Sequence, residues 1–200
     1  LNVLLVGRDH PANTLQEFID YQKKADKVLL YGSNGVGSSS HLTSELFGQR
    51  TGLKVQHVPY KAASDALVGV SQGDLDLLFM NLPPSLPMIQ SGRLKPLAVT
   101  SAYRARQLPQ VPTMQEQGME DFEVTSWLGL YGPAGIPEPI VRKLSAALLK
   151  GFDTPDYESK FISAGFERRL RDTDDFTAWN RSERDRWGEV AEKGGLQKLN

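Results

Sequence analysis

The stretch Tyr31-Gly32-Ser33-Asn34-Gly35-Val36-Gly37-Ser38-Ser39-Ser40-His41-Leu42 holds the residue types best suited to binding chemistry. Gly32, Gly35 and Gly37 allow positive φ and close approach of backbone to a ligand. Ser38, Ser39 and Ser40 supply N-cap oxygens and hydroxyl donors. A helix starting here presents unpaired N–H groups and the positive end of its dipole, a combination that favours an anion. Gly32 to Gly37 has the glycine spacing of a phosphate-cradling loop, but Ser38 and Ser39 stand where Lys and Ser or Thr are required. Without that lysine a triphosphate loses its main counter-charge. A dinucleotide fingerprint begins at Gly35-Val36-Gly37, yet Ser40 replaces its third glycine or alanine. A small carboxylate needs only a few N–H and O–H donors and fits. A tight turn that caps a helix and binds nothing would use the same residues.

The elements around the loop follow from hydrophobic pattern. Lys27 to Tyr31 is short, apolar and β-prone, and reads as a buried strand. Leu42, Leu46 and Phe47 fall on one helical face, so a helix leaves the loop and ends near Gln49 to Gly52. Before this unit, Val3 to Val6 is strand-like, and Thr14 to Glu17 forms a capping box heading a helix to about Ala25. After it, Leu53 to Tyr60 alternates as a strand. Ser64 is placed to cap a helix closed by Gly73. Leu75 to Met80 is a near-continuous apolar strand, as in a parallel sheet buried on both faces. A short helix then ends at Gly92, and Leu94 to Thr100 is a strand whose Pro96 places it near an edge.

Alternating strand and helix argue for an α/β layer with right-handed crossovers. Ligands of such sheets bind at strand carboxyl ends. Three are visible: Gly32 to Ser39, Tyr60-Lys61 and Met80-Asn81. Their convergence would give Gly35, Val36, Gly37, Ser38 and Ser39 as ligand contacts, with Tyr60, Lys61 and Asn81 beside them. Asp76, inside an apolar strand, is expected to be a structural hydrogen-bond hub, and His41 to pack or cap locally.

Beyond residue 100 the pattern changes. Thr113 to Glu116 is a second capping box with a short helix stopping at Gly118. Phe122 to Leu130 alternates as a strand. Ile140, Val141, Leu144 and Leu148 mark an amphipathic helix. A short helix surrounds Phe161 and stops at Gly165. Asp172 to Asp174 heads a long helix with Phe176, Trp179, Trp187 and Val190 as apolar contacts. Few strands occur here, so this half looks like part of a lobe whose sheet lies elsewhere. The chain also opens on a strand-like run without Met and looks cut from something longer.

Composition narrows the function. Lys plus Arg is 23 against 24 Asp plus Glu, which gives no basic surface for nucleic acid. No apolar run approaches membrane-spanning length. The absence of cysteine excludes disulfides and thiolate metal sites. His10, His41 and His57 are the three histidines, and none lies in a nucleophile motif or at metal-ligand spacing. The residues name no catalytic group, no metal and no cofactor.

Several segments together resemble one family. They are Tyr31-Gly32-Ser33 with Gly35, Gly37-Ser38 and His41-Leu42; His57 to Lys61; Gly73 to Asp76; Leu97 to Ser101; Arg104, Leu108-Pro109, Val111 to Thr113, Glu116 and Gly118; Ser126-Trp127; and Pro133 to Gly135 with Pro137. In this order and spacing the chain resembles the substrate-binding proteins of tripartite tricarboxylate transporter systems, the TctC or Bug type. The resemblance implies a type II periplasmic binding protein fold, with two α/β lobes around a cleft that closes on ligand. Residues 1–100 would form the second, ligand-cradling lobe, with crossing strands at its two ends. Residues 101–200 would be the C-terminal part of a first lobe that is incomplete in this chain. Arg104 would tie the segment after the crossover to that lobe, and Trp127 would be a core aromatic or line the cleft.

The implied function is capture of a small carboxylate in the periplasm and delivery to membrane transporter subunits, without insertion into the membrane. An α/β enzyme acting on a small anion, with the loop as oxyanion or phosphate site, remains the alternative. A sensor domain of the same fold is a third reading.

Overall fold

The computed structural model describes residues 1–164, 166 and 168–195. Its organising element is the first strand, β1 (Asn2–Gly7). Val3, Leu4, Leu5 and Val6 are fully buried, as a continuous apolar run requires when both faces of a sheet are covered. β1 lies between β4 (Leu78–Asn81) and β5 (Leu94–Val99) and is antiparallel to both, with Val3 opposite Met80 on one side and Val99 on the other. The sheet is therefore mixed, with antiparallel pairing at the two strands expected to cross at the ends of residues 1–100. The first strand and the strand after residue 94 pair directly and run in opposite senses.

The parallel part lies beside them. β2 (Leu29–Ser33) pairs in parallel with β3 (Val55–Pro59), and a parallel bridge from Tyr31 to Leu77 joins β2 to the chain entering β4. The carboxyl ends of β2, β3 and β4 therefore share one side. β5 is an edge, as Pro96 requires. The register shifts where Leu5 faces Pro96, a residue with no N–H to donate.

Helices α1 (Leu15–Ala25), α2 (Ser39–Thr51), α3 (Ala63–Gln72) and α4 (Leu82–Gln90) connect the strands. Thr14 caps α1 by accepting from the Glu17 N–H at 3.1 Å, while the Glu17 carboxylate returns to the Asn13 N–H. Gly52 and Gly73 close α2 and α3 in the left-handed conformation. Ser64 does not cap α3. Ala62 occupies the N-cap position, and the Ser64 hydroxyl turns to Asp65 within the first turn.

Two compact units divide the chain after Ser126, later than the change in pattern at residue 100. The first holds 1–126 and the end of the chain from Val190; the second holds 127–189. Residues 101–126 contribute Ala105, Leu108 and Val111 to the core formed by Val3, Leu5, Val70 and Val99. The Thr113 capping box is present, with reciprocal bonds between Thr113 and Glu116, but it closes one turn and not a helix. Gly118 reverses the chain at φ 87° before a helix can propagate. The segment from Phe122 to Leu130 is not a strand. Val124 bonds Thr100, but no second strand among the described residues lies beside it, and Leu128 and Leu130 are 83% and 70% exposed.

The second unit contains α5 (Glu138–Phe152), α6 (Pro155–Ser163) and most of α7 (Thr173–Lys193). Asp172 caps α7 through the Asp175 N–H at 2.9 Å. Trp127 meets Phe176 and Trp179 edge-on at 5.5 and 5.2 Å, and Phe176 and Trp179 lie tilted at 6.0 Å. The expected stop at Gly165 lies outside the described residues.

Candidate functional site

Glycine and serine chemistry builds the loop between β2 and α2. Ser33, the buried last residue of β2, accepts the Gly35 N–H at 3.1 Å. Gly35 and Gly37 have φ of 126° and 77°, and a Cβ on either would meet nothing within 4 Å. Their requirement for glycine is conformational. Gly32 differs from the expectation: its φ is not positive, and a Cβ there would sit 2.6 Å from Leu75 Cδ1. It is glycine because the sheet packs closely on that atom.

Ser38 is the N-cap of α2. Its hydroxyl accepts from the His41 N–H at 3.4 Å and donates to the Gly35 carbonyl at 2.7 Å. Ser40 is buried and donates to Asn34 Oδ1 at 2.8 Å. The Gly35, Gly37 and Ser38 N–H groups are all bonded inside the loop. The N–H groups of Val36, Ser39 and Ser40 have no acceptor among the described residues. Val36 and Gly37 are exposed, and Ser38 and Ser39 half-buried. The rim thus offers main-chain donors and a helix dipole to an anion.

The other strand ends reach this rim in different ways. The Asn81 amide donates to Asn2 Oδ1 at 2.8 Å and to the Ser126 hydroxyl at 2.6 Å, and Ser126 donates to Ser39 Oγ at 3.2 Å. Asn2, wholly buried, also donates to Thr43 on α2. Asn81 is therefore joined to the loop. Tyr60 is joined through its main chain, its N–H donating to the Ser33 carbonyl at 3.0 Å. Its phenol, however, lies against Gly69 of α3, where a Cβ would be 2.6 Å from the hydroxyl oxygen. Lys61 is exposed and makes no ion pair among the described residues.

Beneath the loop is an aromatic stack. His41 and His57 lie 3.9 Å apart at 15°, and Tyr31 stacks on His57 at 5.2 Å. His41 Nδ1 accepts the Gly37 N–H at 3.0 Å, and His57 Nε2 lies 2.6 Å from Ser33 Oγ. The Tyr31 phenol donates to the Glu45 carboxylate. Burial lowers both histidines, His57 to about 4 with the neighbouring His41 adding to the shift. Burial first, and then Glu45, pushes the Tyr31 phenol far upward. Both rings are neutral at pH 7.

Asp76 is a hub: it receives the Lys27 ammonium and the Leu30 N–H at 2.9 Å. The Arg104 guanidinium is held by Glu116 and the Pro109 carbonyl, within the segment after residue 100. Trp127, 41% exposed, belongs to the aromatic group of the second unit.

Sequence reasoning missed Asn2, Thr43, Ser126 and the pairing of His57 with Ser33. The signal for Asn2 was a lone amide heading an apolar strand, which must find partners once buried. Ser126 and His57 were visible only as parts of quoted motifs.

The fold is that of periplasmic binding proteins. Rpa4515 of R. palustris, solved with adipate, superposes with a TM-score of 0.84 at 32% identity, covering 97% of this chain and 65% of that one. MatC of Rhodopseudomonas palustris, solved with malate, gives 0.79 at 28%, covering 94% and 65%. The model of the tripartite tricarboxylate transporter family receptor, TctC, matches residues 2–196, and the chain belongs to that family. BugT of Bordetella pertussis is 28% identical over 98% of this chain and 60% of its own length. A UPF0065 protein of Cupriavidus necator is 30% identical over 98% and 59%. The chain spans about three fifths of these curated relatives.

Proposed function

We propose that this chain is the ligand-cradling part of an extracytoplasmic solute receptor that captures a small carboxylate and delivers it to a tripartite tricarboxylate-type transporter. The observation that carries the reading is the rim at Val36 to Ser40. Three main-chain N–H groups without acceptors among the described residues lie there, where the carboxyl ends of three parallel strands meet. A carboxylate has two acceptor oxygens and the charge that this helix end favours. Relatives solved with adipate and malate support the ligand class. Val36, Ser39 and Ser40 are the proposed main-chain contacts, and Ser38 and Asn81, whose donors are bonded within the site, hold them in place. Gly35 and Gly37 shape the rim, and Lys61 balances a second carboxylate. Capture works by closure on the ligand, which shifts an equilibrium between open and closed forms. The receptor acts in the periplasm and docks on membrane subunits. Among the described residues no helix is long and apolar enough to cross a membrane.

The enzyme reading has one geometric attraction, the 2.6 Å contact between Ser33 Oγ and His57 Nε2. Ser33 is fully buried, and its oxygen also bonds the Gly35 main chain. A nucleophile must reach substrate, so the pair is better suited to holding the loop. We assign the protein a binding role and no catalysis.

The test is a thermal-shift and calorimetric screen of the full-length protein against malate, adipate and other small carboxylates. A ligand at a hundred times its Kd stabilises the native state by about 2.7 kcal/mol. Ser38→Glu places a like charge at the rim and should abolish the shift. Val36→Glu, at an exposed position, should weaken it without loss of folding. Unchanged affinity in both variants would move the cradle elsewhere, and turnover of the ligand would restore the enzyme.

A further inference from the structure

The loop is held from below by an atom that a proton can take away. His41 Nδ1 accepts the Gly37 N–H at 3.0 Å, so the neutral ring carries its proton on Nε2. Protonation can then occur only at Nδ1, the atom holding Gly37. The imidazolium would present a donor to a donor, and the bond would be lost. Gly37 sits at φ 77°, next to Ser38, whose hydroxyl and N–H both bond the Gly35 carbonyl. Release of Gly37 therefore frees the middle of the rim.

We infer that His41 is a positioning residue for the carboxylate rim, and that its stacked pairing with His57 couples the rim's shape to pH. This rests on the proposed function above for its ligand, but the loop geometry stands without it.

The groups facing the pair set the sense of the coupling. From β2, Tyr31 stacks on His57, and Ser33 contacts its Nε2. From α2, Glu45 approaches His41 Nε2 at 4.0 Å, but the Tyr31 phenol already donates to that carboxylate. Beyond Glu45 lies the Gly194 turn after α7, where a Cβ would press on the Glu45 carboxylate. His57 lies 3.9 Å from His41, so charging one ring opposes charging the other. Both are held neutral by burial, below the ordinary histidine value of 6.5. The folded state thus binds fewer protons than the unfolded one, and the rim stays intact through the ordinary histidine range and is lost only as pH falls through the lowered folded-state value of His41.

Asparagine separates the acceptor from the proton, since its Oδ1 can stand where Nδ1 does and cannot be protonated. In the full-length receptor, affinity for malate and adipate is measured from pH 8 to pH 4.5 for the native protein, His41→Asn and His41→Leu. Titration of the ligand itself is common to all three and divides out. Relative to H41N, the native protein should lose affinity progressively toward the acid end, and H41L should be weak throughout. Amide NMR supplies a ligand-free arm: the Gly37 resonance should move with the midpoint of the His41 ring and stay still in H41N. Identical pH profiles in the native protein and H41N would overturn the inference. So would a Gly37 resonance that ignores the titration of His41. If neither probe binds at any pH while Gly37 follows His41, the positioning of the loop stands and malate and adipate fall as ligands.

Discussion

Gly32 and Gly37 are glycines for different reasons, and the two substitutions to alanine should be distinguishable. A Cβ at Gly32 would lie 2.6 Å from Leu75 Cδ1 and 3.3 Å from Ala66 Cβ, inside packed core. Gly32→Ala is therefore an overpacking change, expected to destabilise by about 1–3 kcal/mol. The rim lies outside that contact, so ligand affinity per folded molecule should hold. Gly37 has open space around a Cβ but sits at φ 77°. Gly37→Ala should cost about 1–2 kcal/mol through the left-handed backbone and should also weaken binding, because the rim must relax to relieve it. Urea unfolding alongside calorimetry reads both quantities. Equal effects on affinity would show that the loop tolerates either change by the same route.

At the scale of elements, Asp76 joins β2 to the chain entering β4. Its carboxylate takes the Leu30 N–H and the Lys27 ammonium, and its own N–H donates to the Leu30 carbonyl. Asp76→Ala leaves a part-buried strand N–H without its acceptor, which costs up to about 1–3 kcal/mol. The Lys27 pair is half exposed and adds little. Lys27→Ala should thus change the urea midpoint far less than Asp76→Ala; a comparable loss from both would assign the stabilisation to the ion pair. The hub was legible from sequence, because a carboxylate in an apolar strand must find donors. So were β1, β5 and its edge position, and the loop between β2 and α2, where hydrophobic period and punctuation agree. The direction of β1 was not legible: a continuous apolar run reports burial on both faces and says nothing of strand sense. Phe122 to Leu130 misled for a related reason, since alternation records a face, and a strand also needs a partner. The site was half legible. Backbone donors followed from the glycine and serine pattern, whereas the link from Asn81 through Ser126 to Ser39 joins residues far apart in sequence.

At the scale of the whole chain, burial is unevenly shared. The first unit holds the core strands, with Val3 to Val6, Leu77 to Met80 and Leu97 to Val99 at or near full burial. In the second, α5 and α6 have no buried residue, and Ile140 and Leu144 are about half exposed. Leu130, Leu144, Leu148, Phe152 and Tyr157 line an open apolar groove. Burial of a large apolar side chain contributes about 1.5–3 kcal/mol, so a helix burying none draws little stability from packing, and one of this length is marginal alone in water. The two units of this 200-residue chain should therefore not unfold together. Hydrogen exchange should show the slowest amides in β1, β4 and β5 and fast exchange through α5 and α6, with a low-denaturant transition confined to 127–189. The Trp127, Phe176 and Trp179 group provides the optical probe, since tryptophan fluorescence should change before the far-UV signal of the first unit is lost. One coincident transition, with α5 amides as protected as those of β1, would mean that the second unit gains its stability from contacts other than its own buried surface.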